Sequence, residues 1–317
     1  MKILITGIHG FVGSNLVKYL APNNTLYGID IIAPEKQGIL ATFSWNDLEK
    51  DVIPNVDAII HLAGKAHDVK KQAAAKEYFE VNRDLTIKIF DYFCSHQINK
   101  FVFFSTAKAA ADVLDGVLTE TVDPKPVGPY GESKIAAEQY ILKMMADKPL
   151  NFEGRGVYIF RPCMIHGPGN KGNLNLLYGF VCKGIPWPLG SFDNKRTFTS
   201  VDNICYVVNG VLVKDIPSGI YNIGDDEPLS TNELISTICC VLGKKVHIWR
   251  IPQKLMFFLA KVGDYLHLPL NTERLRKLTE NYVSSNAKIK TALGVDKMPI
   301  DARNGLICTI NSFKELK

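Results

Sequence analysis

The fold is decided by the stretch Lys2-Ile3-Leu4-Ile5-Thr6-Gly7-Ile8-His9-Gly10-Phe11-Val12-Gly13, near the start of the chain. Its apolar first half predicts a buried parallel strand, and residues 14–20 are predicted to form an amphipathic helix. The three glycines between these elements, Gly7, Gly10 and Gly13, let the backbone approach a pyrophosphate, with Phe11 and Val12 in the same turn. Free amides and the dipole at the start of the helix favour the negative charge of that group. The stretch therefore predicts a doubly wound parallel α/β sheet that binds a dinucleotide.

Composition narrows the class of protein. The chain has 317 residues, 46% of them hydrophobic and 22% charged, which is ordinary for a globular protein with one large or two smaller domains. The net charge of +5 is spread along the chain, so no nucleic acid partner is predicted. Seven scattered cysteines without a Cys-x-x-Cys pair indicate a reducing compartment and no metal site. Because the first strand leaves no room for a signal peptide and no apolar run could span a bilayer, we expect a cytoplasmic protein without membrane insertion.

A carboxylate follows the second predicted strand, Thr25–Ile29. Asp30 lies about 20 residues beyond the glycine turn, where it would accept hydrogen bonds from the adenosine ribose, with Ile31 beside it. An acid there repels a 2′-phosphate and no arginine follows at once, so NAD is favoured over NADP. Asp47 and Leu48, after a weak third strand, are predicted to reach the adenine edge.

The fourth predicted strand, in residues 56–64, ends in small residues. Leu62, Ala63 and Gly64 would let the cofactor lie flat against the backbone. His67 in the loop that follows is a candidate substrate contact.

The candidate catalytic residues come from two later elements. The strand predicted at Lys100–Phe104 delivers the hydroxyl of Thr106, and Tyr130 and Lys134 lie one turn apart on one face of the next helix. A phenol near an ammonium shifts toward phenolate, so we expect a lowered pKa for Tyr130 and acid/base chemistry at neutral pH. A sixth strand is predicted at residues 157–160, with Pro162 at its end beside the cofactor.

The second half of the chain predicts a smaller, mixed α/β lobe for the substrate. The dinucleotide-binding domain is predicted to span residues 1–162, with 201–224 returning to it, and the lobe to span 163–200 and 225–317. Asn173 at a helix start and Arg196 with its planar guanidinium suit a diphosphate.

Together these motifs resemble the extended short-chain dehydrogenase/reductase family, and more narrowly its nucleotide-sugar epimerase/dehydratase branch. The similarity runs from Met1 to about Gly294 and rests on the glycine turn, Asp30, His61-Leu62-Ala63-Gly64, Thr106, Tyr130-x-x-x-Lys134, Arg161-Pro162 and Ile165-His166-Gly167-Pro168-Gly169. The resemblance implies a Rossmann-type domain that binds NAD, with Tyr130 as the acid/base at a sugar hydroxyl. It implies that Lys134 lowers the pKa of that tyrosine and holds the nicotinamide ribose, and that Thr106 is the hydroxyl partner. It also implies a homodimer joined by helices at residues 71–97 and 130–145.

The sequence departs from the family pattern after Thr106. The 4,6-dehydratases of the family carry an Asp-Glu pair where this chain has Ala107-Lys108, so dehydration is disfavoured. The Tyr-Gly typical of 4-epimerases shortly afterwards is also absent. The Ser-Thr-x-Lys pattern is more similar to 4-epimerases and 4-ketoreductases of polysaccharide pathways. His166 replaces the usual tyrosine, and no role is assigned to it or to Lys108.

The resulting hypothesis is an NAD-dependent enzyme acting at C4 of the hexose of a nucleotide-diphosphate sugar. A 4-epimerase for UDP-glucose or UDP-N-acetylglucosamine is slightly favoured over an NADH-dependent reductase of 4-keto sugars. Two further alternatives are a non-catalytic NAD-binding sensor and a steroid- or flavonoid-type reductase. Asn173 and Arg196 argue against the last, since a flat apolar ligand would need apolar side chains there.

Overall fold

The structure is a computed structural model that describes residues 1–31, 34–65, 74–170, 172–268 and 270–315. Its strands are β1 (Lys2–Thr6), β2 (Thr25–Ile29), β3 (Ala41–Phe43), β4 (Ala58–His61), β5 (Lys100–Phe104), β6 (Val117–Leu118), β7 (Gly156–Pro162), β8 (Met164–His166), β9 (Phe198–Ser200), β10 (Gly219–Ile223) and β11 (Val283–Ser284). Its helices are α1 (Phe11–Leu20), α2 (Trp45–Glu49), α3 (Ala75–Phe79), α4 (Leu85–Ser95), α5 (Ala107–Ala110), α6 (Pro129–Asp147), α7 (Asn173–Cys182), α8 (Val201–Val213), α9 (Thr231–Val241), α10 (Gln253–Tyr265), α11 (Thr272–Thr279), α12 (Ala287–Leu293) and α13 (Ala302–Glu315).

Seven strands form one parallel sheet in the order β10-β7-β5-β4-β1-β2-β3. The register aligns the carboxyl ends, since Thr6 pairs with both Ile29 and His61, and Phe104 pairs with Phe160. The chain runs outward from β1 in one direction and then in the other, which places the switch point of the topology beside β1 and β4. In such sheets ligands bind in the crevice at the carboxyl ends of the strands. The predicted doubly wound fold is confirmed.

Helices cover both faces of the sheet, because every central strand is apolar on both sides. One face carries α1, α8 and α12, whose core includes Leu16 and Val208. The opposite face carries α4 and α6, whose core includes Phe90 and Ile141. These two cores hold the helices against the two faces of the sheet.

A separate core holds α7, α9, α10, α11 and α13 together in the second half of the chain. Two short parallel pairs, β8 with β9 and β6 with β11, lie outside the main sheet. Helix α12 lies within the residues predicted for the lobe. Ile289 and Leu293 of α12 belong to the core on the face of the sheet, because this amphipathic helix buries its apolar side against β10 and α8.

The helix predicted at residues 71–97 is interrupted. Its described part contains α3, a π-helical turn at Glu80–Asp84, and α4, which ends at Ser95. The predicted start, at residues 71–73, lies outside the described residues. In the part of the chain that the structure describes, no helix combines the length and apolar character needed to cross a bilayer.

Candidate active site

The glycine turn between β1 and α1 has no room for side chains. Gly7 has a φ of +74°, and a Cβ atom there would lie 2.9 Å from the amide nitrogen of Ala63. A Cβ atom on Gly13 would lie 2.2 Å from the carbonyl oxygen of Gly7. Only glycine fits where helix and strand approach so closely, which leaves the backbone of the turn open to a ligand. Phe11 and Val12 begin α1, and Val12 packs on the core.

Asp30 is tied to the glycine turn. Its carboxylate accepts hydrogen bonds from the amides of His9 at 2.9 Å and Ile31 at 2.8 Å, and the side chain of Ile31 is exposed. Lys36 lies nearby with its Nζ donating to Ser14 Oγ at 2.9 Å. Burial lowers the pKa of Lys36 and the charge of Asp30 opposes that change. Lys36 was not predicted to lie beside Asp30.

Asp47 and Leu48 have structural partners. Asp47 Oδ2 accepts from the amide of Ser44 at 2.8 Å and from its hydroxyl at 2.7 Å, which completes the capping box of α2 and lowers the pKa of Asp47. Leu48 is buried in the core. Their contact with adenine stays a prediction.

The end of β4 is held by Thr6. Its hydroxyl oxygen accepts from the amides of Leu62 at 3.2 Å and Ala63 at 3.0 Å. The buried ring of His61 lies between Thr6 Oγ1, 2.7 Å from Nδ1, and Thr86 Oγ1, 2.9 Å from Nε2. Thr86 donates its own proton to the carbonyl of Asn82, so His61 must donate from Nε2. Burial, together with the charge of Lys134, lowers the pKa of His61 well below its usual value and keeps the ring neutral.

The structure brings Thr106 and Tyr130 together. Thr106 caps α5 at the end of β5, Tyr130 is the second residue of α6, and the Thr106 hydroxyl lies close enough to affect the phenol. The pKa of Tyr130 is raised, because burial outweighs the lowering effect of the Thr106 hydroxyl, and Tyr78 packs edge-on at 6.4 Å. The predicted lowering of this pKa by Lys134 is therefore wrong for the chain alone. Loss of water from the phenol is the dominant effect.

The side chain of Lys134, one helical turn after Tyr130, is hydrogen-bonded to the backbone. Its Nζ donates to the carbonyl oxygen of Phe104 at 2.8 Å and lies 4.9 Å from the centre of the Phe103 ring. Burial lowers the pKa of Lys134 to about 8, although the charge of Glu138 opposes this. A Cβ atom on Gly64 would lie 3.0 Å from the same Nζ. The ammonium therefore faces the strand end where a cofactor was predicted to lie.

A buried ion pair between Glu138 and Arg161 supports helix α6. Neither residue was predicted to belong to the site. Glu138, one turn beyond Lys134, accepts from Arg161 Nε at 3.0 and 3.1 Å and from the hydroxyl of Ser105. Both charged side chains are fully buried. Among the described residues, Arg161 Nη1 has no hydrogen-bond partner. No local spacing indicates this pair, because Glu138 and Arg161 lie 23 residues apart on different elements.

Asn82 also links three parts of the site. Its amide oxygen accepts from the Lys65 amide at 2.7 Å, and its Nδ2 donates to the Lys65 carbonyl at 3.1 Å and to Ser133 Oγ at 3.0 Å. The residue is fully buried in the π-helical turn, a feature often found at functional sites. A polar residue that interrupts the helical pattern was its only signal in the sequence.

The predicted substrate residues are less fully described. Arg196 is half-buried, and its Nη1 donates to the carbonyl oxygen of Lys277 at 2.5 Å near the end of α11. Burial lowers its pKa and the nearby charge of Glu280 opposes this. Asn173 is the first residue of α7. Its side chain and the whole of His67 lie outside what the structure describes.

Two residues without an assigned role have clear partners. Lys108 Nζ donates to Asp112 Oδ1 at 2.5 Å and lies over the ring of Tyr282. His166 is buried, with Nδ1 2.9 Å from Thr309 Oγ1 and Nε2 3.3 Å from Asp225 Oδ2. His166 therefore helps to join β8 to α13.

The residues present fit a dinucleotide. The glycine turn is a cradle that a single Cβ atom would fill, and Asp30 presents a carboxylate beside it. Gly64 leaves space next to the ammonium of Lys134. Pro162 ends β7 at the same edge of the sheet and pairs with Ile223.

Comparison with known proteins agrees with this geometry. Residues 3–224 match the sequence profile of the NAD dependent epimerase/dehydratase family. A UDP-glucose 4-epimerase of Vibrio cholerae is 29% identical over 271 residues, which cover 79% of this chain and 78% of that protein. A GDP-6-deoxy-D-mannose reductase of Pseudomonas aeruginosa is 24% identical over 80% of this chain and 84% of its own length.

A solved structure has the same fold. The UDP-glucuronic acid 4-epimerase of Bacillus cereus, in complex with NAD, superposes with a TM-score of 0.75 at 21% identity over 100% of this chain and 99% of that one. At this identity the similarity concerns the fold alone. The profile match covers well over half of the chain, which therefore belongs to the NAD dependent epimerase/dehydratase family, a family of NAD-dependent enzymes.

Proposed function

We propose that this member of the family is a nucleotide-sugar 4-epimerase that acts on a UDP-hexose of the glucose or N-acetylglucosamine type. The observation that carries the proposal is the juxtaposition of the Thr106 hydroxyl and the Tyr130 phenol, one helical turn from the buried ammonium of Lys134. These groups lie at the same edge of the sheet as the glycine turn. A proton acceptor beside a nicotinamide site suits oxidation and reduction of a sugar hydroxyl.

The chain's own residues would move the proton. Tyr130 would take it from the C4 hydroxyl of the sugar, and Thr106 would stabilise the phenolate by donating to it. Lys134, whose ammonium faces Gly64, would hold the nicotinamide ribose. Bound NAD supplies the hydride acceptor and later the hydride donor. After the 4-keto sugar turns about its diphosphate, Tyr130 would return the proton at the other face.

The residues after Thr106 argue against dehydration. Ala107 is buried at the start of α5, and Lys108 is paired with Asp112. Elimination of water across C5 and C6 needs a carboxylic acid and base next to the hydroxyl of Thr106. An alanine and a lysine at these positions cannot supply them.

Basic side chains support a diphosphate on the lobe side of the cleft. Arg196 meets the end of α11, where Arg276 lies 3.6 Å from Asp112. A planar guanidinium suits phosphate oxygens, and the start of α7 at Asn173 would add backbone amides. We propose that the lobe formed by residues 163–200 and most of 225–317 holds the nucleotide diphosphate.

A reductase of 4-keto sugars is the second candidate. The Pseudomonas relative carries that kind of name, and Thr106, Tyr130 and Lys134 serve both reactions equally. The two differ in whether the dinucleotide stays bound through turnover. A non-catalytic sensor would need none of the three residues to be arranged for proton transfer.

The deciding experiment uses the purified full chain. The protein is denatured, the released nucleotide is identified, and absorbance of reduced nicotinamide is followed during turnover of UDP-N-acetylglucosamine and UDP-glucose. Stoichiometric bound NAD, with product formed and no net change in NADH, is the result expected of an epimerase. An empty site, with NADH consumed only when a 4-keto nucleotide sugar is supplied, would establish the reductase instead.

We further propose a homodimer in the cytoplasm, joined through α4 and α6 of each subunit. These helices cover one face of the sheet. Sedimentation equilibrium of the purified protein tests this, and a monomeric mass at micromolar concentration would contradict it.

A further inference from the structure

Helix α10 has two apolar sides. Met256, Ala260 and Gly263 are buried against the lobe, and a Cβ atom on Gly263 would lie 1.7 Å from the carbonyl oxygen of Leu270. Leu255, Phe258, Val262 and Tyr265 repeat at intervals of three and four residues, which places them together on another side of the helix. Phe258 is 62% exposed and Tyr265 is 84% exposed. A surface helix normally presents a polar face to water, so this second apolar side calls for a partner.

Exposed apolar residues continue on both sides of the helix in the sequence. Trp249 precedes it, and Leu266 and Leu268 follow it, all of them exposed. We call Trp249, Leu255, Phe258, Tyr265 and Leu266 the α10 surface. Tryptophan and tyrosine are the residues that concentrate where a bilayer meets water, because each ring has an apolar body and a polar group.

Positive charge borders this surface. Lys254 and Lys261 lie four residues before and three residues after Phe258, so they flank its side chain along the helix. Both lysines and Arg250 are exposed. Residues 244–268 contain five lysine and arginine residues and one acid, Asp264. The carboxylate of Asp264 accepts hydrogen bonds from the amide and hydroxyl of Thr272, at the start of α11.

We propose that the α10 surface docks peripherally on an anionic lipid bilayer. An amphipathic helix with leucine and aromatic residues on one side and lysines at its margin lies in the plane of a bilayer, with its apolar side among the upper acyl chains. The lysines would meet phosphate head groups, and the aromatic residues would lie at their level. A neutral protein surface would match the apolar residues but not this basic border.

The α10 surface is joined to the segment that precedes Arg196, a predicted diphosphate contact. Phe257, on the flank of α10, packs edge-on against Phe192 with ring centres 5.8 Å apart. Gln253 Nε2 donates to the carbonyl oxygen of Ser191 at 2.7 Å. Docking would thus hold the proposed diphosphate site of the lobe near the bilayer. This last step rests on the proposed function, whereas the docking itself does not.

The test is co-sedimentation of the full chain with vesicles. We expect binding to vesicles of phosphatidylcholine with phosphatidylglycerol, weaker binding to phosphatidylcholine alone, and loss of binding at high salt. The double variant Leu255→Ser/Phe258→Ser should lower the bound fraction at least about tenfold, because two side chains no longer leave water. Lys254→Glu/Lys261→Glu should weaken binding to anionic vesicles while leaving the apolar residues intact.

The matched control is Leu150→Ser. Leu150 is 83% exposed in a turn after α6, outside the α10 surface, and its variant should bind vesicles like the parent chain. Each variant is checked by its thermal melting curve and by turnover of a soluble nucleotide sugar, which should be unchanged. Failure of turnover in the parent chain would contradict the proposed function and leave the docking result standing.

Three results would overturn the docking proposal. The first is that the parent chain stays in the supernatant with anionic vesicles, and the second is that the Leu255→Ser/Phe258→Ser variant binds as well as the parent. The third is that sedimentation without vesicles shows this variant to dissociate an oligomer. The α10 surface would then be an interface between copies of the chain.

Discussion

The carboxylate of Glu138 lies between Arg161, whose Nε donates to it at 3.0 Å, and the hydroxyl of Ser105, with both charged side chains withdrawn from water. Glu138 is one helical turn from Lys134 and opposes the lowering of its pKa. The ion pair thus supports the strand end that carries Thr106 and the helix that carries Tyr130. A structural pair beneath the site holds the groups that would perform the chemistry.

Glu138→Gln should destabilise the protein by about 3 to 5 kcal/mol, because it leaves the buried cation of Arg161 without a counter-charge. Denaturant unfolding at pH 7 measures this. Glu132→Gln, on the same helix but exposed, is the matched control and should change stability by less than about 0.5 kcal/mol. Equal effects of the two substitutions would show that the pair contributes little.

Tyr130→Phe should lower kcat by about 10² to 10⁴-fold, since the phenol is the candidate proton acceptor and the ring itself stays in place. The variant should still release NAD on denaturation. Tyr19→Phe, at an exposed position of α1, is the control and should keep full turnover. A Tyr130→Phe variant with ordinary kcat would remove the tyrosine from the mechanism.

Thr106→Val should shift the pH dependence of kcat toward higher pH. The hydroxyl of Thr106 lowers the pKa of Tyr130, so its loss leaves burial unopposed and the phenolate forms only at higher pH. The pH–rate profile measures the shift. Thr106→Ser keeps the hydroxyl and should restore the parent profile, and an unshifted profile in Thr106→Val would contradict the assignment.

Lys134 should make stability rise with pH in the alkaline range. Its pKa is about 8 in the folded chain and 10.5 in its ordinary state, so between these values the unfolded chain binds more protons. The penalty for a buried ammonium is present below pH 8 and disappears as the group loses its proton. Over the interval this contributes about 3 kcal/mol.

The comparison with Lys134→Met isolates this contribution, because other titrating groups are common to both proteins. Denaturant unfolding at pH 7, 8, 9 and 10 should give a stability difference between parent and variant that changes in favour of the parent as pH rises. A difference that is constant with pH would mean that Lys134 titrates normally.

Gly13→Ala should weaken NAD binding by more than about tenfold, or about 1.4 kcal/mol, because the new Cβ atom would lie 2.2 Å from the Gly7 carbonyl and distort the turn. Gly179→Ala in α7 is the matched control, since no atom lies within 4 Å of its Cβ position. That substitution should leave NAD binding unchanged and add up to about 1 kcal/mol of stability. Titration of the apo-protein of each variant with NAD measures the change in binding.

Much of the fold followed from local patterns. The apolar runs at β1, β4, β5 and β7 and the glycines after β1 each have one reasonable interpretation, because buried parallel strands and tight turns restrict residue type strongly. The four-residue spacing of Tyr130 and Lys134 fixed their common helix face. By contrast, the sequence does not indicate that one side of α10 is exposed, since an apolar run does not specify which of its residues a neighbour will cover.

The sequence by itself determined the order of elements, the glycine turn and the residue types of the candidate site. Only the tertiary structure decided that Tyr130 lies beside Thr106, that Lys134 donates to the Phe104 carbonyl and that Arg161 neutralises Glu138. It also reversed the expected direction of the pKa of Tyr130. Spacing along one helix specifies which side chains are neighbours, whereas the loss of water that sets a pKa depends on every element packed around the group.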